Sequence, residues 1–120
     1  MTIGRLMLVV AIAQAALSSA CADRKERSDA SKVDLAKIVV RKYAFEAFPS
    51  WAMAHPSKDC PAKLEDLDEY IANADAKDPW GTPYIMMCGK DLPAGARGFA
   101  VSSAGPDRKP GTADDIKSWQ

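Results

Sequence analysis

This sequence has almost no histidine, no net charge and no long apolar run. His55 is the single histidine and no CxxC spacing occurs, so a zinc centre would lack the four ligands it takes. The 16 basic and 16 acidic side chains cancel, which removes the broad positive footprint of a nucleic-acid binder. No nucleic-acid partner is expected. The longest apolar stretch, Leu6 to Leu17, is about twelve residues and is broken by Gln14. A membrane-spanning helix needs roughly 20. Internal repeats are also missing.

What is present begins with a leader. Residues 1–20 combine Arg5, the short apolar run and the small residues Ser18-Ser19-Ala20, the pattern of a signal peptide. Its removal takes one arginine and no acid, leaving 15 basic against 16 acidic groups. Cys21 follows at once. Leu17-Ser18-Ser19-Ala20-Cys21 resembles a lipobox, although its leucine stands one place further from the cysteine than usual. Lipidation of Cys21, anchoring the chain to a membrane, accounts for the odd cysteine. Cleavage by ordinary signal peptidase is the alternative. The expected product is exported, either periplasmic or lipid-anchored to the cell envelope. Residues 21–31 read as a polar tether without large apolar side chains, and residues 32–120 as one small domain.

Cys60 and Cys88 remain as an even pair in an exported chain, where disulfides persist. A bridge between them closes about 28 residues and would stabilise the fold by roughly 3–4 kcal/mol. Two free thiols are the other reading.

Periodicity predicts two helices. Leu35, Ile38, Val39, the stem of Lys42, Phe45 and Phe48 recur at helical spacing. Ser31 is the expected N-cap, with Asp34 as its capping-box partner, and Pro49 is expected to end or kink the helix. Core packing is the plain reading of that stripe, and a surface for a partner helix the second. A further helix opens at Cys60-Pro61, carries Leu64, Leu67, Tyr70 and Ile71, and ends near Asn73. Asp78-Pro79-Trp80-Gly81 has the composition of a type I turn. Pro83–Cys88 and Gly98–Ser103 read as strands of a loose antiparallel hairpin. The expected class is α+β: an N-terminal helix and a second short helix packed on a small antiparallel sheet, with a calcium-type loop at the C-terminus.

That last loop runs from Ser103 to Ile116 and gathers Asp107, Asp114, Asp115, Gly105 and Gly111. Calcium takes six to eight hard oxygen ligands from carboxylates and loop carbonyls, so these residue types fit such a site. The acids do not alternate as in an EF-hand and no glutamate closes the loop. A solvated turn is the alternative reading.

The run Asp78-Pro-Trp-Gly-Thr-Pro-Tyr84, then Ser103-Ala-Gly-Pro-Asp107, then Gly111-Thr-Ala-Asp-Asp-Ile116 with Trp119 near the end, resembles the C-terminal domain of the type II secretion major pseudopilin, the protein G family. The likeness covers roughly residues 32–120 in order. It implies a calcium-holding loop, with Asp107 and Asp114 as carboxylate ligands and the Ala104 carbonyl as a backbone ligand. Asp115 is a further candidate beside them. It also implies protein partners of a secretion apparatus. The departure is at the N-terminus. Gly4 is followed by Arg5-Leu6-Met7-Leu8 and the apolar run holds no acid, unlike the family's prepilin site and assembly helix.

Three functions compete. The first is a non-catalytic pseudopilin-like envelope component, and the second a stand-alone surface lipoprotein acting as a binding module. The third is an enzyme built on His55, Asp59 and Cys60, which are close in sequence. Cys60 is better explained by pairing with Cys88 than as a free thiolate, so no enzyme is expected.

Overall fold

A computed structural model describes residues 28–71 and 75–120. The expected leader, Cys21 and the first part of the tether lie outside the described residues. Residues 28–42 form helix α1, followed by a π-helical turn at Tyr43–Ala47 and helix α2 at Phe48–Ala54. A 3-10 helix occupies Leu64–Tyr70. Strands β1 (Ile85–Cys88), β2 (Phe99–Ser103) and β3 (Ile116–Lys117) make one antiparallel sheet in the order β1-β2-β3. The class is α+β, as expected.

The first helix departs from expectation in three ways. Residues 28–31 are already helical, so Ser31 caps nothing and the end of the presumed tether is part of the helix. Pro49 does not end the helix, which continues to Ala54. The π turn is the physical reason. The Phe48 N–H reaches back five residues to the Tyr43 carbonyl, which widens the turn. Pro49 thereby falls at the start of α2, where a missing N–H is tolerated.

The third departure is the face that packs. Ala36, Val40, Tyr43, Ala44, Ala47 and Trp51 are buried, whereas Leu35 and Ile38 are each 52% exposed and Phe45 is 62% exposed. The helix therefore buries alanines and two large aromatics, with Val39 and Phe48 of the expected stripe packed partly against them and Leu35, Ile38 and Phe45 left outside. Three alanines leave room for the side chains rising from the sheet, so Phe99, Val101 and Tyr84 join them in one core at high packing density. Phe48 stacks on Phe99 with ring centroids 4.7 Å apart, and Tyr43 meets Tyr84 at 6.1 Å. Such pairs add about 0.5–1.5 kcal/mol each beyond their burial.

The second helix is shorter and tighter than expected. Leu64, Leu67 and Tyr70 recur every third residue, which matches the 3-10 repeat rather than the α repeat. Asp66 accepts the Lys63 N–H at its start, and Ile71 is already extended. Pro61 precedes the helix rather than opening it. The expected end at Asn73 lies outside the described residues.

The hairpin follows the expected pairing, with Ile85 opposite Ser102 and Cys88 opposite Phe99. Strand β3 was not foreseen. Ser103 pairs with Ile116 and Ser102 with Lys117, which makes β2 the central strand and explains why all five of its residues are buried. Ser118 latches the edge: its Oγ accepts the Val101 N–H at 3.1 Å and its own N–H reaches the Val101 carbonyl at 3.0 Å. Cys60 and Cys88 are joined by a disulfide, which ties the approach to the 3-10 helix to the end of β1.

Candidate functional site

The site is the C-terminal loop between β2 and β3, together with the turn that supports it. That turn is Asp78–Gly81, closed by the Gly81 N–H on the Asp78 carbonyl at 2.9 Å. The Asp78 carboxylate is buried. Its Oδ1 accepts the N–H groups of Trp80 and Thr82 at 3.0 and 2.9 Å. Its Oδ2 accepts the Ser103 hydroxyl at 2.7 Å. Ser103 Oγ in turn accepts the Gly105 N–H at 3.2 Å. A buried carboxylate with donors on both oxygens is stable where an unpaired one would not be. The turn and the base of the loop are thus one hydrogen-bonded unit.

Beyond Gly105 the loop satisfies itself. Asp107 Oδ2 accepts the Thr112 hydroxyl at 2.6 Å, and Oδ1 accepts the Lys109 N–H at 2.9 Å. The Thr112 bond first, and the Lys109 N–H next, hold the Asp107 carboxyl below its ordinary value. Asp115 Oδ2 accepts the Gly111 N–H at 2.8 Å. Within the first of these bridges Arg108 takes φ 58, the left-handed region that a non-glycine residue enters only when its neighbours hold it there. At the mouth of the loop, a Cβ on Gly105 would collide with the Asp114 carbonyl oxygen. Only glycine lets the loop's two ends approach that closely.

The candidate calcium ligands are distributed as follows. Ala104 is fully buried at the end of β2, and Asp114 is exposed. Asp107 already has a hydrogen-bond donor on each oxygen. Asp115 Oδ1 is buried with no hydrogen-bond partner. Among the described residues, no group of three or more His, Cys, Asp or Glu side chains is placed to hold a metal ion. Asp107, Asp114 and Asp115 therefore do not form a three-carboxylate cage. Among the described residues, Asp115 Oδ1 is the one oxygen of the loop's carboxylates that is buried without a partner.

Sequence reading passed over Ser103 and Thr112 as functional side chains. Ser103 becomes a partner only when a carboxylate 25 residues away is folded onto it, whereas Thr112 meets Asp107 within the loop itself. The proposed enzyme residues resolve differently. Cys60 is in the disulfide. His55 Nδ1 lies 2.9 Å from the Trp51 carbonyl and its ring stacks on Trp51 at 4.8 Å. An open cleft of about 660 Å³ adjoins them, lined also by Lys58, Glu65, Asp66 and Glu69.

The two segments that the Asp78–Ser103 bond joins are those on which the family likeness rests. Residues 24–119 match the family described as type II secretion system (T2SS), protein G. The chain belongs to the protein G family. No curated protein matches it, and no solved structure matches it. In this protein G-family chain the turn at Asp78 carries the loop, and the loop carries β3 and Trp119 behind it. Among the described residues no helix is long and apolar enough to cross a membrane.

Proposed function

We propose that this protein is a non-catalytic pseudopilin-like component of the cell envelope, exported through its leader and attached by a lipid on Cys21. Its work is structural: to hold a rigid domain against other parts of a type II secretion apparatus. The observation that carries this reading is the family match across residues 24–119. The Asp78–Ser103 bond, which makes the two matching segments one rigid unit, supports it. Deleting the gene should impair export of type II substrates, and site-specific cross-linking in cells should trap the domain on apparatus components. Normal secretion together with lipidated Cys21 would favour the stand-alone surface lipoprotein instead.

Calcium is the cation that the loop's oxygen donors suit. Asp115 would supply the first carboxylate oxygen, and Asp107, Asp114 and the Ala104 carbonyl would have to turn toward the ion as it binds, Asp107 giving up its bonds to Thr112 and Lys109. The support is Asp115 Oδ1, buried without a partner. An ion there would neutralise an uncompensated charge and add its binding energy to folding. The melting temperature should rise in calcium over chelator, and Asp115→Ala should abolish the rise. Identical melting in both would leave the loop a self-satisfied turn.

A further inference from the structure

The formal charge of the chain is zero, yet one face of the fold is basic and apolar together. Leu35, Ile38 and Phe45 are all more than half exposed and run along the outward side of the long helix. Ile38 and Phe45 are seven residues apart, two turns and about 10 Å along the axis. Lys37, Arg41 and Lys42 are exposed among them. Beside this stripe lie two adjoining hollows that share Arg41 and Gln120. One, of about 360 Å³, takes in Lys37 and Lys117. The other, of about 280 Å³, takes in Phe45, Arg97 and Trp119. Lys117 Nζ stands 5.7 Å from the Trp119 ring centroid. The acids beside them are Asp34 and Glu46 on the helix and Asp115 in the first hollow. Five lysines and arginines against three carboxylates leave the face net positive.

A single exposed apolar side chain needs no explanation, but several together, rimmed by charge, mark a contact surface. The core lies on the other side of the helix, through Val40, Tyr43 and Ala47, so nothing within the domain covers these residues. Their cover must take apolar tips and supply negative charge at once, along two turns of a straight helix. A bilayer interface does both. Its acyl boundary accepts isoleucine and phenylalanine, its phosphates attract arginine and lysine, and tryptophan settles between the two. Arginine and lysine stems lie along apolar surface while their heads reach the phosphates. A discrete anion pocket would instead bury its guanidinium groups, whereas Arg41 and Arg97 are both exposed.

We propose that this face docks on an anionic phospholipid surface. Ile38 and Phe45 dip into the acyl boundary, Trp119 rests at headgroup level, and Arg41, Lys42 and Arg97 meet the phosphates. The long helix then lies along the membrane rather than across it. The contact requires neither a lipid on Cys21 nor a secretion partner, so it goes beyond the function proposed above.

Vesicle pelleting with the full purified chain tests this. Binding to phosphatidylcholine containing about one third phosphatidylglycerol should be at least about tenfold tighter than to phosphatidylcholine alone. The difference should vanish at about 0.5 M salt, where charge attraction is screened within a few ångströms. A lipid anchor or the apolar N-terminal run would hold both kinds of vesicle alike, so the difference is what reports on this face. Arg41→Glu with Arg97→Glu should remove it, and Phe45→Ser should weaken anionic binding several-fold. These side chains are exposed, so the variants should keep the circular dichroism of the parent. Brominated lipid should quench fluorescence from Trp119, which is half-buried on this face, and not from Trp51 and Trp80 in the core. Trp119→Phe should therefore abolish the quenching. Equal binding to both vesicles overturns the proposal. So does an anionic preference that survives the charge reversal, or quenching that persists in Trp119→Phe. A chain that fails these tests and still cross-links to secretion components would lose this contact alone and keep the secretion role.

Discussion

Ser103 donates its hydroxyl to Asp78 Oδ2 at 2.7 Å, in the buried space between the Asp78–Gly81 turn and the end of β2. This bond joins two parts of the chain 25 residues apart and sets where the C-terminal loop departs from the sheet. Removing the carboxylate strands the Trp80 and Thr82 N–H groups as well as the Ser103 hydroxyl. Asp78→Ala should therefore cost about 3–5 kcal/mol in chemical denaturation, and Ser103→Ala about 1–3 kcal/mol. In a double-mutant cycle the two should couple by more than about 0.5 kcal/mol. Additive effects would mean that the bond is incidental.

Gly105 and Gly81 both have positive φ, at +77 and +85, but only Gly105 is crowded. A methyl group at Gly105 would meet the Asp114 carbonyl, whereas nothing lies within 4 Å of one at Gly81. Gly81→Ala should cost about 1–2 kcal/mol, the left-handed penalty alone. Gly105→Ala should cost clearly more and loosen the loop, read as faster amide exchange across residues 105–115. Equal melting temperatures for the two variants would contradict the close approach.

The packing of the long helix separates two aliphatic side chains that look alike in sequence. Val40 is fully buried, and Leu35 is 52% exposed. Val40→Ala should destabilise by roughly 1–3 kcal/mol, while Leu35→Ala should stay within about 0.5 kcal/mol. Thermal melts of the two variants decide between this face and the more apolar one.

Stability should depend on pH at both extremes. Burial, aided by Asp68 for Tyr43 and by Asp78 for Tyr84, holds both phenols above their ordinary value of 10.0. A raised folded-state pKa contributes stability that is complete below the unfolded value and lost as pH rises through the folded one. Melting temperature should therefore fall above about pH 10, and less steeply in Tyr84→Phe. Asp107 is shifted the other way, by Thr112 first. Its contribution is present above its ordinary 3.8 and fades as acid protonates it. Asp107→Asn should flatten that acid limb, and an unchanged limb would show that the Thr112 bond contributes nothing to folding.

Much of this was legible in the residues. The Asp78-Pro-Trp-Gly run closes the expected turn through Gly81. The hairpin lies where Pro83–Cys88 and Gly98–Ser103 placed it, and Cys60 is bonded to Cys88. Turn composition and strand alternation act over a few residues, so they read directly. The second helix was half legible: spacings of three and then one at Leu64, Leu67, Tyr70 and Ile71 mark a helix but suit an α-helix as well as the 3-10 helix that forms. At the loop, composition marked the acids without revealing that Asp107 is already satisfied by Thr112 and Lys109, while Asp115 Oδ1 is not.

The sequence by itself determined the short-range elements and the family to which they belong. Only the tertiary structure decided which side of the long helix is the inside. Leu35, Ile38 and Phe45 form the more apolar stripe, yet Ala36, Val40, Tyr43 and Ala47 are the ones buried. The reason is complementarity with a surface elsewhere in the chain. Phe99, Val101 and Tyr84 fill the space that the alanines leave, and a π turn at Tyr43–Ala47 brings Trp51 onto the same side. Strand β3 and the Asp78–Ser103 bond have the same origin. Each depends on which distant residues the fold brings together, and no local pattern encodes that.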